Sequence, residues 1–373
     1  MKIYYFLLII AALLGIGGFF IFTDISTEKN QSELTIGNAP KSEQSIKEEK
    51  SNSKLDEKVL MGYVQDFRDP SSIDYSQLTH AIFSFAHPQK DGSLELNGEE
   101  AKANLRNMVK EAHQEDTKAM LAVGGAEHLE GGGTYDYFKA AIYNPKSRAK
   151  LIDELIEISN EENLDGIDID FEHPRTQKDA QYLAEFTEKL GEKLRASDKE
   201  LSIAVFSKID SETGKEVPSV IYEPAMFHHV NHVNVMAYDG HWSGEYKAEN
   251  LSPYPFTEKI VSYWSDLFNT HNISRGKLVL GVPFYGQPED AKGSQISYSN
   301  IISQDPANAL RDKADIDGKV YHYNGEKTMR KKTELAHHNG FGGMMIWELG
   351  HDSKGEHSLT SAIYDVQKMK RFK

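Results

Sequence analysis

Asp165-Gly166-Ile167-Asp168-Ile169-Asp170-Phe171-Glu172 is the stretch on which the reading of this chain turns. Its period is that of a β-strand: Ile167, Ile169 and Phe171 point one way, and Asp168, Asp170 and Glu172 point the other. Three acids therefore share one face. Side chains two positions apart on a strand sit roughly 6.5 to 7 Å apart, and like charges that close in an enclosed setting resist ionising together and raise one another's pKa. Such a strand keeps an acid protonated near neutral pH. The plain alternative is an edge strand with its polar face in water, so the surroundings decide between the two.

Outward from this strand, short apolar runs alternate with amphipathic stretches, which is an α/β pattern. Strands are expected at 59–64, 79–86, 118–123, 165–172, 201–206, 232–238, 277–285 and 342–347. Helices are expected near 100–114, 146–160, 177–196, 256–270, 328–339 and 359–370. The clearest of these, 177–196, sets Ala180, Leu183, Phe186, Leu190 and Leu194 in one apolar stripe. Eight β units suit a closed parallel (β/α)8 TIM barrel better than an open doubly wound sheet, and no internal repeat interrupts them. In a closed barrel the edge-strand reading fails. Both edges are paired, helices cover one face, and the other face is the interior, where acids are costly unless used. His173-Pro174 ends the strand just after Glu172 and puts that residue at the carboxyl mouth, where such barrels hold their chemistry. Three acids also suit a hard cation such as Mg²⁺, but no further acids or histidines converge from other strands, so no metal is expected there.

The chain has 373 residues, enough for a full core, and a formal net charge of −15. That charge argues against a general nucleic-acid binder, because a polyanion is repelled at long range. No cysteine is present, which excludes thiol nucleophiles, Cys-based metal sites, disulfides and lipidated cysteine anchors. Residues 3–22 carry no charge and are long enough, at roughly 30 Å as a helix, to cross a hydrocarbon core. Residues 1–23 therefore read as a signal anchor, or as a signal peptide if cleaved, and both mean export to the membrane surface or beyond. Residues 24–57 are polar and charged with few apolar side chains, the composition of a disordered linker. Residues 58–373 are left for the barrel.

With the acidic strand in fourth position, the chain resembles the family 18 glycoside hydrolases, the chitinases and their relatives. DGIDIDFE at 165–172 carries all four acids of that family's DxxDxDxE signature. Ala122-Val123-Gly124-Gly125 stands where the family shows SxGG, Met236-Ala237-Tyr238-Asp239 matches MxYD, residues 281–286 look like its seventh strand, and Trp347 ends the eighth. The resemblance implies that Glu172 is the general acid and then the base. It further implies that the 2-acetamido oxygen of the substrate attacks the anomeric carbon to give an oxazolinium ion, in place of a protein nucleophile. Asp170 would accept the acetamido N–H, Asp168 beneath it would share a proton, and Tyr238 would donate to the acetamido oxygen. Asp239 would contact the sugar, Trp347 would form an apolar floor, and Tyr63, Phe85, Gly125 and Met236 would complete the substrate site. No cofactor is implied, and the partner is an N-acetylglucosamine-containing glycan acted on by a monomer.

There are departures from the family pattern. Ala122 replaces a serine that would support Asp168, and His173 stands where many chitinases have tyrosine. Little sequence separates Tyr285 from the helix near 328, so little or no extra α+β insertion is expected, and with it a shallow cleft. Trp242 and Tyr285 are candidates for stacking on sugar rings at the cleft rim, against the ordinary reading of aromatic residues as core. His228, His229 and His232 invite a zinc reading, yet no further ligand lies nearby in sequence, so capping or surface placement is expected. Gly131-Gly132-Gly133 lacks the Lys and helix of a phosphate loop, and no G-x-S-x-G supports a serine hydrolase. Chitin or chitooligosaccharides are the first-choice substrate, a peptidoglycan glucosaminidase the second reading and cleavage of N-glycan cores the third. A glycan-binding lectin on the same fold is the alternative from another class, and the presence of Glu172 weighs against it.

Overall fold

The computed structural model describes residues 58–369, so the expected anchor or signal segment and the polar linker lie outside the described residues. The chain opens with β1 (Val59–Gln65), β2 (His80–Pro88), the short β3 (Leu94–Glu95) and α1 (Gly98–Gln114). There follow β4 (Lys118–Gly124), α2 (Tyr135–Tyr143), α3 (Pro145–Glu161), β5 (Gly166–Asp170) and α4 (Gln177–Ala196). Next come β6 (Glu200–Phe206), β7 (His232–Met236), α5 (Tyr254–Thr270) and β8 (Leu278–Pro283). β9 (Tyr285–Pro288), β10 (Ile296–Ser297), α6 (Tyr298–Gln304), β11 (Lys313–Ile316) and β12 (Lys319–His322) form an insertion. α7 (Glu326–His338), β13 (Gly343–Trp347) and α8 (Leu359–Met369) complete the described chain.

Eight of these strands run parallel in the ring order β1-β13-β8-β7-β6-β5-β4-β2, and β2 pairs back with β1. This is the closed (β/α)8 TIM barrel expected from the sequence. The acidic strand is the fourth barrel strand. It pairs with β4 on one side, where Ala122 faces Asp168, and with β6 on the other, where Asp168 faces Ser202. Closure leaves no free edge on which the acids could reach water.

Alternation along the strands gives the molecule two apolar layers. Ile167, Ile169 and Phe171 join the strand–helix layer with Phe138, Leu183 and Phe186, all almost wholly buried. Met61, Tyr63, Ile82, Met120, Ala122, Tyr238, Val279 and Met345 fill the barrel interior as a separate cluster. α4 shows how local chemistry sets an element. Thr176 and Asp179 form a reciprocal capping box at its start, and the five residues of its expected stripe are completely buried.

α2 and α6 were not anticipated from periodicity. α2 is only nine residues long, with aromatic rings on several sides. α6 belongs to the insertion after β8, where β10-β9-β12-β11 form a small antiparallel sheet. The expectation of little extra structure here corresponds to this compact unit. Among the described residues no helix is long and apolar enough to cross a membrane. Leu183→Ala, which empties a site with no solvent exposure between α4 and the barrel, is expected to lower stability by about 2–5 kcal/mol, read from urea unfolding.

Candidate active site

The inward face of β5 carries Asp168 with no exposure and Asp170 with 3 %, while Glu172 lies just past the strand end. Asp168 is the anchored member. The Tyr63 hydroxyl donates to its Oδ2 at 2.7 Å, and Ser202 Oγ and Asn234 Nδ2 donate to its Oδ1 at 2.5 and 3.1 Å. Burial raises its pKa to about 6, against the lowering effect of these three donors. Ala122 leaves the β4 side of Asp168 without a hydroxyl, and Ser202 on the β6 side supplies one at the same register. The support missing from the motif thus comes from the opposite neighbour.

Asp170 has a different environment. Its carboxyl is pushed well up by burial, then by the charges of Glu172 and Asp168. Its Oδ1 is buried without a hydrogen-bond partner, an acceptor held ready for a donor from outside the protein. The backbone beside it is fixed: Gly125 N–H donates to Asp170 O at 2.9 Å. Gly124, at φ +121°, has no room for a side chain, since a Cβ would stand 2.0 Å from that same carbonyl.

Burial, and then the charge of Asp239, raise Glu172 to about 7. His173 Nε2 lies 3.7 Å from Glu172 Oε2, but burial and then Arg175 hold that imidazole down at about 4. It is therefore a neutral neighbour at working pH. Asp239 sits in the left-handed region at φ 60°, with the Tyr285 hydroxyl donating to its Oδ1 at 2.5 Å. Its side chain is 47 % exposed to the cleft, and desolvation by the cleft walls raises it to about 6 against the lowering effect of that hydrogen bond.

Over these acids opens a cleft of about 670 Å³ lined by Asp170, Glu172 and Tyr238, together with Tyr63, Phe85, Met236, Asp239, Trp242 and Trp347. Trp347 forms its floor, with its ring 5.4 Å from that of Tyr63 and stacked 5.8 Å from that of Phe85. Trp242 stands at the rim, 62 % exposed. Gly125 lies behind Phe85, where a Cβ would meet the ring at 2.9 Å, so it shapes the wall. Tyr285, expected at the rim, is 2 % exposed and holds Asp239 from beneath instead. Its place between the end of β8 and the insertion turns it inward.

The sequence reading did not find Ser202 and Asn234, whose signal was a lone polar residue inside each of two apolar runs, LSIAV and HVNVM. It also missed His87 and His128, which line the cleft near Phe85. His128 stacks on Tyr137 at 3.6 Å and accepts Glu130 N–H on Nδ1, which places its hydrogen on a buried, unpartnered Nε2. Among the described residues these acids do not form a group with ligand atoms close enough together to hold a metal ion, and donors already occupy both oxygens of Asp168. His228, His229 and His232 do not converge either: His229 Nε2 lies 3.9 Å from Glu188, whereas His232 turns to Glu200.

The profile of glycosyl hydrolases family 18 matches residues 59–352. The chain belongs to that family. It is 27% identical over 332 residues to probable chitinase 10 of Drosophila melanogaster, a match covering 76% of this chain and 14% of that protein. It is 26% identical to a chitinase-like effector of Moniliophthora roreri, covering 62% of this chain and 60% of the other. The chain thus spans less than two thirds of the length of either relative. Among solved structures, a family 18 chitinase from the chitin utilization locus of Flavobacterium johnsoniae superposes with a TM-score of 0.69 at 26% identity, over 84% of this chain and 95% of that one.

Two predictions follow from the buried acids. Glu172 has an ordinary pKa of 4.5 and a folded value of about 7, so the native state holds a proton that the unfolded state has lost between those limits. Stability must therefore fall as pH rises through that window. Glu172→Gln is expected to raise Tm relative to the native protein at pH 8 and to leave it unchanged at pH 4, measured by calorimetry. Ser202→Ala should raise the Asp168 pKa further, displacing the acid limb of the pH–rate profile upward. Adding Ala122→Ser, which returns a hydroxyl from β4, should move that limb back.

Proposed function

We propose that this family 18 glycoside hydrolase is exported and cleaves β-linked N-acetylglucosamine, with chitin or chitooligosaccharides as substrate and retention of configuration. The observation that carries the reading is Glu172, a carboxyl with a pKa raised to about 7, beside a buried Asp170 with an unpartnered oxygen. A protonated Glu172 would deliver its proton to the glycosidic oxygen and then, as carboxylate, take one from water. The acetamido N–H of the sugar matches the vacant acceptor of Asp170, and its carbonyl oxygen would close on the anomeric carbon as the leaving group departs.

The remaining residues divide the work. Asp168, held by three neutral donors, keeps the base of the site rigid and polar, and its charge helps to raise the pKa of Asp170. Tyr238, whose hydroxyl pKa is raised well above its ordinary value by burial and then by Asp239, stays protonated and would orient the acetamido oxygen. Trp347, packed between Tyr63 and Phe85, offers a flat apolar surface to the sugar ring. The apolar run at 3–22 supports export, to a membrane-held or released form. The likeness to a chitinase and to a chitinase-like effector supports the substrate class.

Glu172→Gln is expected to lower turnover of a chitooligosaccharide by about 10² to 10⁴-fold. Equal rates in variant and native protein would leave only a glycan-binding role. Tyr238→Phe is expected to lower kcat by a larger factor than it weakens product binding. NMR of the first-formed reducing end should show the β-anomer, and the α-anomer would overturn the mechanism. Product masses from chitohexaose and from purified peptidoglycan separate the first-choice substrate from the wall polymer.

A further inference from the structure

We propose a zinc-class divalent metal site at the amino-terminal end of the barrel, held by His80 Nε2, Glu200 Oε2 and His232 Nε2. The three residues open β2, β6 and β7 and lie at the end of the strands opposite Glu172. Their ligand atoms all fall within 4.8 Å of one another. His80 Nε2 is 2.9 Å and His232 Nε2 3.5 Å from Glu200 Oε2. Those distances bracket the separation of about 3.3 Å between ligands on a tetrahedral zinc with bonds of about 2.0–2.1 Å. The two imidazole centroids are 5.2 Å apart and steeply inclined, against about 5 Å for two imidazoles sharing such an ion.

The surrounding hydrogen bonds permit an ion at this place. Thr79 Oγ1 lies 3.0 Å from the Leu60 N–H, 3.1 Å from Leu60 O and 2.8 Å from His80 Nδ1. The Thr79 amide already donates to Leu60 O at 2.8 Å, so the hydroxyl is free to answer either tautomer of His80, accepting from Nδ1–H in the one that turns the Nε2 lone pair outward. Without an ion, His80 donates Nε2–H to Glu200 Oε2 at 2.9 Å; with one, the hydrogen moves to Nδ1, where Thr79 Oγ1 accepts it, and the Nε2 lone pair is left for the metal. For His232, Nδ1 is buried without a hydrogen-bond partner, so no protein group fixes the tautomer of that ring from its far side. Lys118 takes the other oxygen of Glu200 and so orients the carboxylate, leaving Oε2 to face the two rings. The side chains are 4 %, 20 % and 15 % exposed, which leaves a fourth position open to water, as in three-ligand zinc sites.

The ion would tie β2 to β6 and β7, strands separated in the ring by β4 and β5, and brace the closed end of the barrel away from the chemistry. The inference is independent of the proposed substrate. The full chain in detergent, stripped of metal, is titrated with ZnCl₂ by calorimetry and with Co²⁺ by visible absorption. One ion per chain is expected, with the intense absorption of four-coordinate cobalt and a rise in Tm on adding zinc. His232→Asn and Glu200→Gln should each weaken binding by at least about tenfold, whereas His228→Asn and His229→Asn should not change it. Should the first two variants fail to fold, the wild-type cobalt spectrum decides. No bound ion, a six-coordinate spectrum, unchanged affinity in His232→Asn or loss of binding in His228→Asn would each overturn the proposal.

Discussion

Everything at the carboxyl mouth depends on keeping Asp168 satisfied inside a closed barrel. A carboxylate taken out of water is tolerated only when donors replace its hydration, and here the replacements come from three strands: Tyr63 on β1, Ser202 on β6 and Asn234 on β7. With Asp168 provided for, the next two acids on the same face are not. Asp170 keeps an unanswered oxygen and Glu172 keeps a proton to neutral pH. The gradient from saturated to vacant along one strand makes the site directional, from a rigid base to a reactive rim.

The exchange between Ala122 and Ser202 shows what this constraint does and does not dictate. A hydroxyl is needed beside Asp168, and either neighbouring strand can deliver it, because parallel register sets both at the same height. A motif on one strand can then lose its serine without loss of the interaction. Tyr285 makes a related point. Its ring is not offered to a ligand, yet its hydroxyl fixes Asp239, and Asp239 in turn contributes to the raised pKa of Glu172.

The strands were legible because apolar runs in a parallel barrel are short, buried and regularly spaced, and all eight fall where the pattern puts them. The fourth ends earlier than its alternation suggests, at Asp170 rather than Glu172, since the chain leaves the ladder to carry Glu172 over the mouth. The acids, Tyr238 and Trp347 were legible from their motifs. The rest depends on contacts across large sequence separations, which no local pattern records: Ser202 and Asn234 reach Asp168 from 34 and 66 positions away. His232 lay in a visible histidine cluster, but its partners come from distant strands while its sequence neighbours face elsewhere. Short aromatic α2 and the insertion helix α6 lacked the extended stripe that marked α4.

The ring closes where the first strand meets the last: Val59 to Gly62 pair with Gly343 to Ile346, and Lys58 reaches Phe341 across 283 positions of chain. During synthesis β1 has one open side until nearly the whole domain has emerged. Loop closure over such a distance comes late and at an entropic cost, and an unpaired strand edge invites association with other chains in the meantime. Completion of this barrel is therefore a post-emergence event, which makes nascent chains stalled before β13 the form most exposed to aggregation and to quality-control proteases.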